Sequence, residues 1–324
     1  MDLRKNSPHS MDETMDNLEI EVRKLVQQTD LLPKNINPIE RLLHLFNVGQ
    51  MGLSLAKLAE AHWDALSILH EANHPIKTNA LYAVWASEIP HHPLTLNKKN
   101  TQWVLNGTKM FCSGAGMVDR ALITSEGWLL DVDLTHPSSK EHIEVNNESW
   151  VTSAFRDTNT ATLTFTNFPL GEQSFIKNKG WYLAREGFWQ GALGPAACWG
   201  GGAAGLVEYS LNNSRQDAHT LAHIAAMESN IWTIRCVLEG SGKEIMQGLN
   251  FMQLHQLALR TRHIIEQLCT DILTRFARTY GPFPLACDAL IHQRYEELNL
   301  FLRQNHGERD LETLGKTYKQ IQHM

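Results

Sequence analysis

The stretch LNGTKMFCSGAG at residues 105–116 joins a turn signal to a run of small residues that could lie against a ligand. Asn106 and Gly107 both accept the positive φ angles of a tight type I′ turn, so the stretch predicts a β-hairpin with its turn at these two residues. The small residues 113–116 would end the second strand and let the backbone approach a bound molecule closely. A surface hairpin with a flexible tip is an equally good interpretation of the spacing.

The histidines and cysteines form no pattern typical of a metal site or a disulfide framework. Adjacent His91 and His92 could suggest a metal ion, but such a pair in a loop flanked by prolines usually faces solvent. His62 belongs to an apolar helical stripe, so we interpret it as a partly buried helix residue rather than a ligand. The five cysteines are widely scattered and include no CxxC pair: Cys112, Cys198, Cys236, Cys269 and Cys287. We therefore predict no metal site and a reducing, cytoplasmic environment.

The chain of 324 residues is long enough for two or three domains with a sizeable core. It carries 29 Lys and Arg against 35 Asp and Glu, a net charge of −6. This balance argues against a nucleic-acid partner, because the chain has no basic excess for phosphates. The first residues are polar and charged, and the sequence contains no apolar run long enough for a membrane span. Neither a secretory signal nor a membrane association is therefore expected.

The spacing of apolar residues predicts helices at both ends of the chain and strands between them. Before residue 73 it predicts three helices, at 18–28, 39–46 and 53–69. From residue 81 the period changes to two, and short strands as far as residue 165 indicate a compact β barrel or sandwich. The region after residue 180 predicts four long helices with short connections, at 184–211, 217–246, 251–279 and 285–305.

The predicted fold class is α+β multidomain, with a short N-terminal helical section (1–80), a middle β-barrel domain (81–172) and a C-terminal antiparallel four-helix bundle (173–324). Six glycines fall within 184–211, and each would weaken an isolated helix by about 1 kcal/mol relative to alanine. Such a composition is expected where a neighbouring helix or a ligand approaches the backbone closely. A phosphate-binding loop is disfavoured, because no strand precedes the glycines and no GK[ST] follows them.

Residues 105–116 resemble the LNGxKxxI(S/T)xAG signature in the middle domain of acyl-CoA dehydrogenases, a family of FAD-binding enzymes. The segment AVWASE at 83–88 is similar to the family's strand before its TEP motif, and residues 150–158 are similar to its W…G(M/F)R…T segment. The order of helices, barrel and bundle also matches, so the resemblance covers about residues 75–310. It implies FAD-dependent dehydrogenation of an acyl thioester by a homodimer or homotetramer.

The resemblance assigns flavin contacts to this chain residue by residue. Phe111 would pack on the flavin ring and Ser113 would hydrogen-bond near its redox-active edge, with Cys112 between them. The further residues that would border the flavin are Val84, Trp85, Ala86 and Ser87. Arg215 stands where the family often has an arginine that reaches the FAD pyrophosphate of a neighbouring subunit, and a solvated residue at a helix entry is an equal alternative for it.

Three features depart from the family pattern. The helical section before the barrel is short, and the TEPxxGSD loop is replaced by SEIPHHP at 87–93. The C-terminal tail lacks the EGT that carries the family's catalytic glutamate. The candidate catalytic residues are Glu186 and His306. A minority of the family carry the base on the first bundle helix, and Glu186 lies one residue out of register with that position. His306 lies in the run NHGER at a helix end. The alternative interpretation of His306 is a helix C-cap.

These departures leave three functions open. The first is α,β-dehydrogenation of an acyl thioester on CoA or a carrier protein, with a possible electron-transfer partner. The second is a flavin-dependent monooxygenase on the same fold, in which a partner reductase supplies reduced flavin and His306 assists the oxygen chemistry. The third is a catalytically degenerate homologue that acts as a binding module.

Overall fold

The computed structural model describes residues 11–32, 34–88, 93–137 and 139–321. Within these ranges the chain is helical at both ends and forms strands in the middle, in the order that the sequence predicts. The helices are α1 (Met11–Gln28), α2 (Pro38–Met51), α3 (Leu53–Ala72), α4 (Ser139–His142), α5 (Trp181–Ala184), α6 (Phe188–Gly191), α7 (Leu193–Asn212), α8 (Ala218–Met246), α9 (Phe251–Tyr280), α10 (Pro282–Cys287), α11 (Ala289–Phe301) and α12 (Glu308–Ile321). The strands are β1 (Tyr82–Trp85), β2 (Thr95–Lys99), β3 (Gln102–Cys112), β4 (Arg120–Ser125), β5 (Trp128–Asp133), β6 (Ile143–Asn146), β7 (Ala161–Leu170) and β8 (Phe175–Ile176).

Side-chain caps fix where the long helices begin. Asn37 accepts a hydrogen bond from the backbone N–H of Glu40 at 2.9 Å and starts α2. Asp217 accepts the backbone N–H of Thr220 at 3.0 Å and starts α8. Asn250 starts α9 with a capping box. These caps satisfy backbone donors that have no partner within their own helix.

The strands form two four-stranded sheets, in the orders β1-β4-β5-β8 and β2-β3-β7-β6. Strand β1 runs parallel to β4, and the other neighbouring strands of the two described sheets are antiparallel. The β region that the sequence predicts is therefore present, but closure of its strands into a barrel is not confirmed. The prediction missed β2 and β8.

The predicted hairpin turn at Asn106 and Gly107 is wrong. Both residues lie inside β3, where the register with β7 shifts between Leu105 and Gly107 to form a bulge. Gly107 has a φ of +107°, and a Cβ at this position would overlap the carbonyl oxygen of Pro93. The glycine is required for a close approach of two backbones rather than for a turn. The chain turns instead between β2 and β3 at Asn100, whose φ is +59°.

The glycine-rich helix α7 packs directly against α2, as its composition predicts. A Cβ on Gly201 would lie 2.8 Å from the backbone nitrogen of Gln50 and closer still to the carbonyl oxygen of Phe46. A Cβ on Gly49 would in turn overlap the carbonyl oxygen of Cys198. The two backbones are in contact because each helix offers glycine at the crossing point.

Helices α7, α8, α9 and α11 pack against one another, but α2 and α3 share the same core. The antiparallel four-helix bundle is therefore not confirmed as a unit of its own, and the domain limits at 80 and 172 stay predictions. The last predicted helix, 285–305, is interrupted at Asp288, which caps α11, and α12 was missed. No helix of the described chain is both long and apolar enough to cross a membrane.

His62 ties α3 to the first strand and makes stability depend on pH. Its side chain is buried, and Nδ1 accepts the backbone N–H of Tyr82 at 3.1 Å, so the folded protein needs the neutral ring. Burial lowers the pKa of His62 to about 4. In the unfolded chain this histidine is protonated below about pH 6.5, whereas in the folded chain it is protonated only below about pH 4. Its contribution to stability is therefore fully present above pH 6.5 and is lost as the pH falls toward 4.

We expect this single group to cost about 3 kcal/mol of unfolding free energy between pH 7 and pH 4. Urea unfolding of the wild type and of a His62→Gln variant at several pH values tests it, because the amide oxygen of glutamine can accept the same N–H without titrating. The variant should lose less stability than the wild type on acidification. Parallel pH profiles would rule out the assignment.

Candidate functional site

A cavity of about 870 Å³ lies between helix α3, the end of β1, the end of β3 and the segment 300–306. This volume is in the range of sites that hold small molecules and cofactors. The cavity brings together residues that are more than 200 positions apart in the sequence.

The wall of the cavity includes most of the residues that the resemblance places at a flavin. Residues 84–87 line it along the end of β1, and Phe111 and Ser113 line it at the end of β3. The two segments are linked, because the indole N–H of Trp85 donates to the carbonyl oxygen of Ser113 at 3.0 Å. The structure thus places the two predicted flavin-binding stretches side by side at one cavity.

Phe111 is held in an unusual conformation at the cavity wall. Its φ is +61°, in the left-handed region that a bulky side chain rarely adopts, and it lies in a second bulge of β3 between Lys109 and Cys112. The ring is 51% exposed and packs edge-on against Trp150, with 6.3 Å between ring centroids. Backbone strain that presents an apolar ring to a cavity is typical of a functional position.

Ser113, Thr160 and Thr158 form a chain of three hydrogen-bonded hydroxyl groups, in which donors and acceptors can be assigned in only one way. Thr158 donates to the carbonyl oxygen of Phe155 at 2.8 Å, so it must accept from Thr160, 2.8 Å away. Thr160 must then accept from Ser113, at 2.9 Å. Each hydroxyl group has one proton to donate, and Ser113 donates its proton to Thr160. Toward the cavity, Ser113 Oγ therefore acts as a hydrogen-bond acceptor.

Cys112, Arg215 and Glu186 do not line the cavity. Cys112 is buried in the hydrophobic core, where burial raises the pKa of its thiol to about 12. Arg215 is half exposed and donates to the carbonyl oxygen of Thr279 at 2.7 Å, so a contact with the flavin of a neighbouring subunit stays a prediction. Glu186 is exposed in the turn between α5 and α6.

His306 lines the cavity from the connection between the turn at Leu302–Gln304 and α12. Its side chain is 65% exposed, and Nδ1 lies 3.4 Å from a carboxylate oxygen of Asp310 in the first turn of α12. The imidazole therefore faces the start of a helix, and the alternative interpretation as a C-cap is not supported. His91 and His92 lie outside the described residues, and the described part of the chain contains no cluster of potential metal ligands.

The sequence-based predictions missed the charged groups that helix α3 brings to the cavity. Lys57, Glu60 and Asp64 line it from successive turns of one helix face. Asp64 lies 3.5 Å from Arg185, whose side chain is 3% exposed and which also pairs with Glu71 at 2.8 Å. The spacing of residues 57, 60 and 64 indicates that they share one helix face, but charged residues on one helix face normally indicate a solvated surface.

No protein-family model matches the sequence, and no curated protein sequence matches it. Solved structures match the fold. TdsC from Paenibacillus sp. A11-2, solved in a complex with FMN and indole, is 14% identical, with a TM-score of 0.75 over 95% of both chains. A nitrososynthase from Micromonospora carbonacea var. africana is 10% identical, with a TM-score of 0.75 over 95% of this chain and 94% of its own.

A third matching structure is the methanesulfinate monooxygenase MsuC from Pseudomonas fluorescens, which is 15% identical, with a TM-score of 0.70 over 96% of both chains. These structures have the acyl-CoA dehydrogenase fold, and the present chain shares it. At these identities the likeness concerns the fold, and membership of the acyl-CoA dehydrogenase family itself is not confirmed.

Proposed function

We propose that the protein is a flavin-dependent monooxygenase that binds FMN in the cavity. The observation that carries the proposal is the meeting of residues 84–87 with Phe111 and Ser113 at one cavity, in a fold that TdsC shares and in which TdsC holds FMN. The proposed cofactor is FMN and not FAD, because the FAD that the sequence predicts is not confirmed. Dehydrogenation of an acyl thioester has less support, because Glu186 lies outside the cavity lining.

The residues at this wall have the chemistry that a flavin requires. The exposed ring of Phe111 offers a face on which a flat apolar ring system can stack, and Ser113 offers an acceptor at its edge. When bound, reduced FMN supplies the two electrons with which one atom of O₂ enters a substrate and the other leaves as water. His306 lies at the same cavity, where its imidazole nitrogens can donate or accept hydrogen bonds.

The test is an anaerobic titration of the purified protein with oxidised and with reduced FMN, followed by tryptophan fluorescence. Saturable binding of FMN, with FAD as a competitor, supports the proposal. If neither redox state of FMN binds, the enzyme proposal fails and the chain is better interpreted as a binding module that keeps the fold.

The direction of the hydroxyl chain predicts a preference for reduced FMN. N5 of a reduced flavin carries a proton and can donate to Ser113 Oγ, whereas N5 of an oxidised flavin is itself an acceptor. A Thr160→Val variant releases the proton of Ser113 for donation into the cavity. We expect it to shift the ratio of the two dissociation constants about tenfold toward oxidised FMN, as one neutral hydrogen bond allows.

Thr164→Val is the matched control for this variant. Thr164 is half-buried on β7, which begins one residue after Thr160, and no hydrogen bond of its hydroxyl to another described residue is seen. The midpoint potential of bound FMN should fall in Thr160→Val and stay unchanged in Thr164→Val. An unchanged potential in both variants would contradict the role given to the hydroxyl chain.

A further inference from the structure

Helix α3 carries to the cavity two ionisable side chains that make no hydrogen bond or ion pair with another described residue. Lys57 and Glu60 are one turn apart on the same helix face, and both line the cavity. Among the described residues, no group makes a hydrogen bond or an ion pair with Lys57 Nζ or with the Glu60 carboxyl group. Both side chains are half-buried, and their polar atoms face the cavity, so they are free to bind a ligand there.

Both side chains are hydrogen-bond donors near neutral pH. Burial lowers the pKa of Lys57 to about 8, so its ammonium group keeps most of its charge at pH 7. Burial and the neighbouring Asp64 raise the pKa of Glu60 to about 8, so its carboxyl group is mostly protonated. A ligand that satisfies both groups must therefore offer two acceptors.

The other charges at the cavity reinforce the preference for an anion. Arg262 donates to the carbonyl oxygens of Ala192 and Gln304 at 2.8 and 3.2 Å, and no described carboxylate lies within ion-pair distance of it. The charge of Asp64, by contrast, is offset by Arg185. Although the chain has a net charge of −6, the described lining of this cavity carries four basic side chains, Lys57, Arg185, Arg262 and Arg303, against the three acidic ones of Glu60, Asp64 and Glu88.

Aromatic rings surround the ammonium group of Lys57. Its Nζ lies 4.6 Å from the ring centroid of Phe155 and 5.0 Å from that of Phe301, and both rings are buried in the cavity wall. These cation–π contacts hold the ammonium group in place and keep its surroundings apolar.

We propose that Lys57 and Glu60 form a substrate subsite that binds the carboxylate of a planar aromatic substrate. The ammonium group and the protonated carboxyl group can each donate to one carboxylate oxygen, and Phe188, a half-buried aromatic residue of the same lining, is available to pack against the apolar body. This inference rests on the proposed function for the reaction that follows binding. The flavin phosphate is the other anion to consider, but phosphates are usually held by several N–H donors at helix N-termini, and α3 presents its middle turns.

Calorimetric titration of the FMN-loaded protein with 2-naphthoate and its neutral counterpart 2-naphthamide tests the subsite. We expect the wild type to bind 2-naphthoate roughly 10- to 100-fold more tightly, as a charge-assisted hydrogen bond allows. A Lys57→Met variant should lose this preference and keep its affinity for 2-naphthamide. Lys77→Met, which removes an exposed lysine outside the cavity, is the matched control and should behave as the wild type.

Two Glu60 variants separate its donor from its charge. Glu60→Gln keeps a donor and should bind 2-naphthoate within about threefold of the wild type, whereas Glu60→Leu should bind it about tenfold more weakly. Equal affinity of the wild type for the two naphthalene probes would overturn the inference. So would a Lys57→Met variant that weakens binding of FMN, but not of riboflavin, and leaves 2-naphthoate unaffected.

The same titrations without FMN distinguish the two proposals. If FMN does not bind but the Lys57-dependent preference for 2-naphthoate persists, the proposed function fails and the subsite stands. If FMN binds and the preference is missing, the subsite fails and the proposed function stands.

Discussion

Replacing Gly201 by alanine should destabilise the protein by about 3 kcal/mol or more, or prevent folding. The added Cβ would lie 2.8 Å from the backbone nitrogen of Gln50 and closer still to the carbonyl oxygen of Phe46. These are backbone atoms of α2, so no side-chain rotamer can relieve the overlap. Helices α2 and α7 would have to move apart, and the core that they share with α3 would open.

Gly240→Ala is the matched control, since Gly240 lies inside α8 and a Cβ there would meet nothing within 4 Å. It should stabilise the protein by about 0.5–1 kcal/mol, because alanine has the higher helix propensity. Urea unfolding of both variants gives the two free energies. Similar effects of the two substitutions would contradict the close approach of α2 and α7.

Replacing Phe111 by alanine should weaken FMN binding roughly 5- to 150-fold, the effect of about 1–3 kcal/mol expected when an aromatic stacking partner is truncated. Stability should change little, because the ring is 51% exposed and alanine keeps the same left-handed backbone. The loss of affinity would therefore report on the ligand and not on the fold. Fluorescence titration with FMN measures it.

Phe283→Ala removes an aromatic ring that is 73% exposed on α10, outside the residues that line the cavity. This control should bind FMN as the wild type does. If Phe111→Ala binds FMN with unchanged affinity, the ring of Phe111 does not stack on the flavin and the proposed orientation of the flavin is wrong.

Short local patterns predicted the parts of the site that a few neighbouring residues determine. The stretch around Phe111 and Ser113 was identified from its sequence, and the structure places both at the cavity. The turn at Asn106 and Gly107 failed because a positive φ suits a bulge as well as a turn. Local sequence does not show that the backbone of Pro93 lies against Gly107.

The charged half of the cavity could not be predicted, because it depends on which helices meet. Lys57 and Arg262 are about 200 residues apart, and each alone is typical of a solvated helix face. Their common position follows from the packing of α3, α7 and α9, to which the glycines of α7 contribute. The helical periodicity identified these helices but not their mutual arrangement.

A crystal structure of the protein with FMN tests the central claim most directly. We predict electron density for the flavin in the cavity, with its ring system against Phe111 and its N5 edge at Ser113 Oγ. A flavin bound elsewhere, or a cavity that protein side chains fill in crystals grown with saturating FMN, would contradict the account.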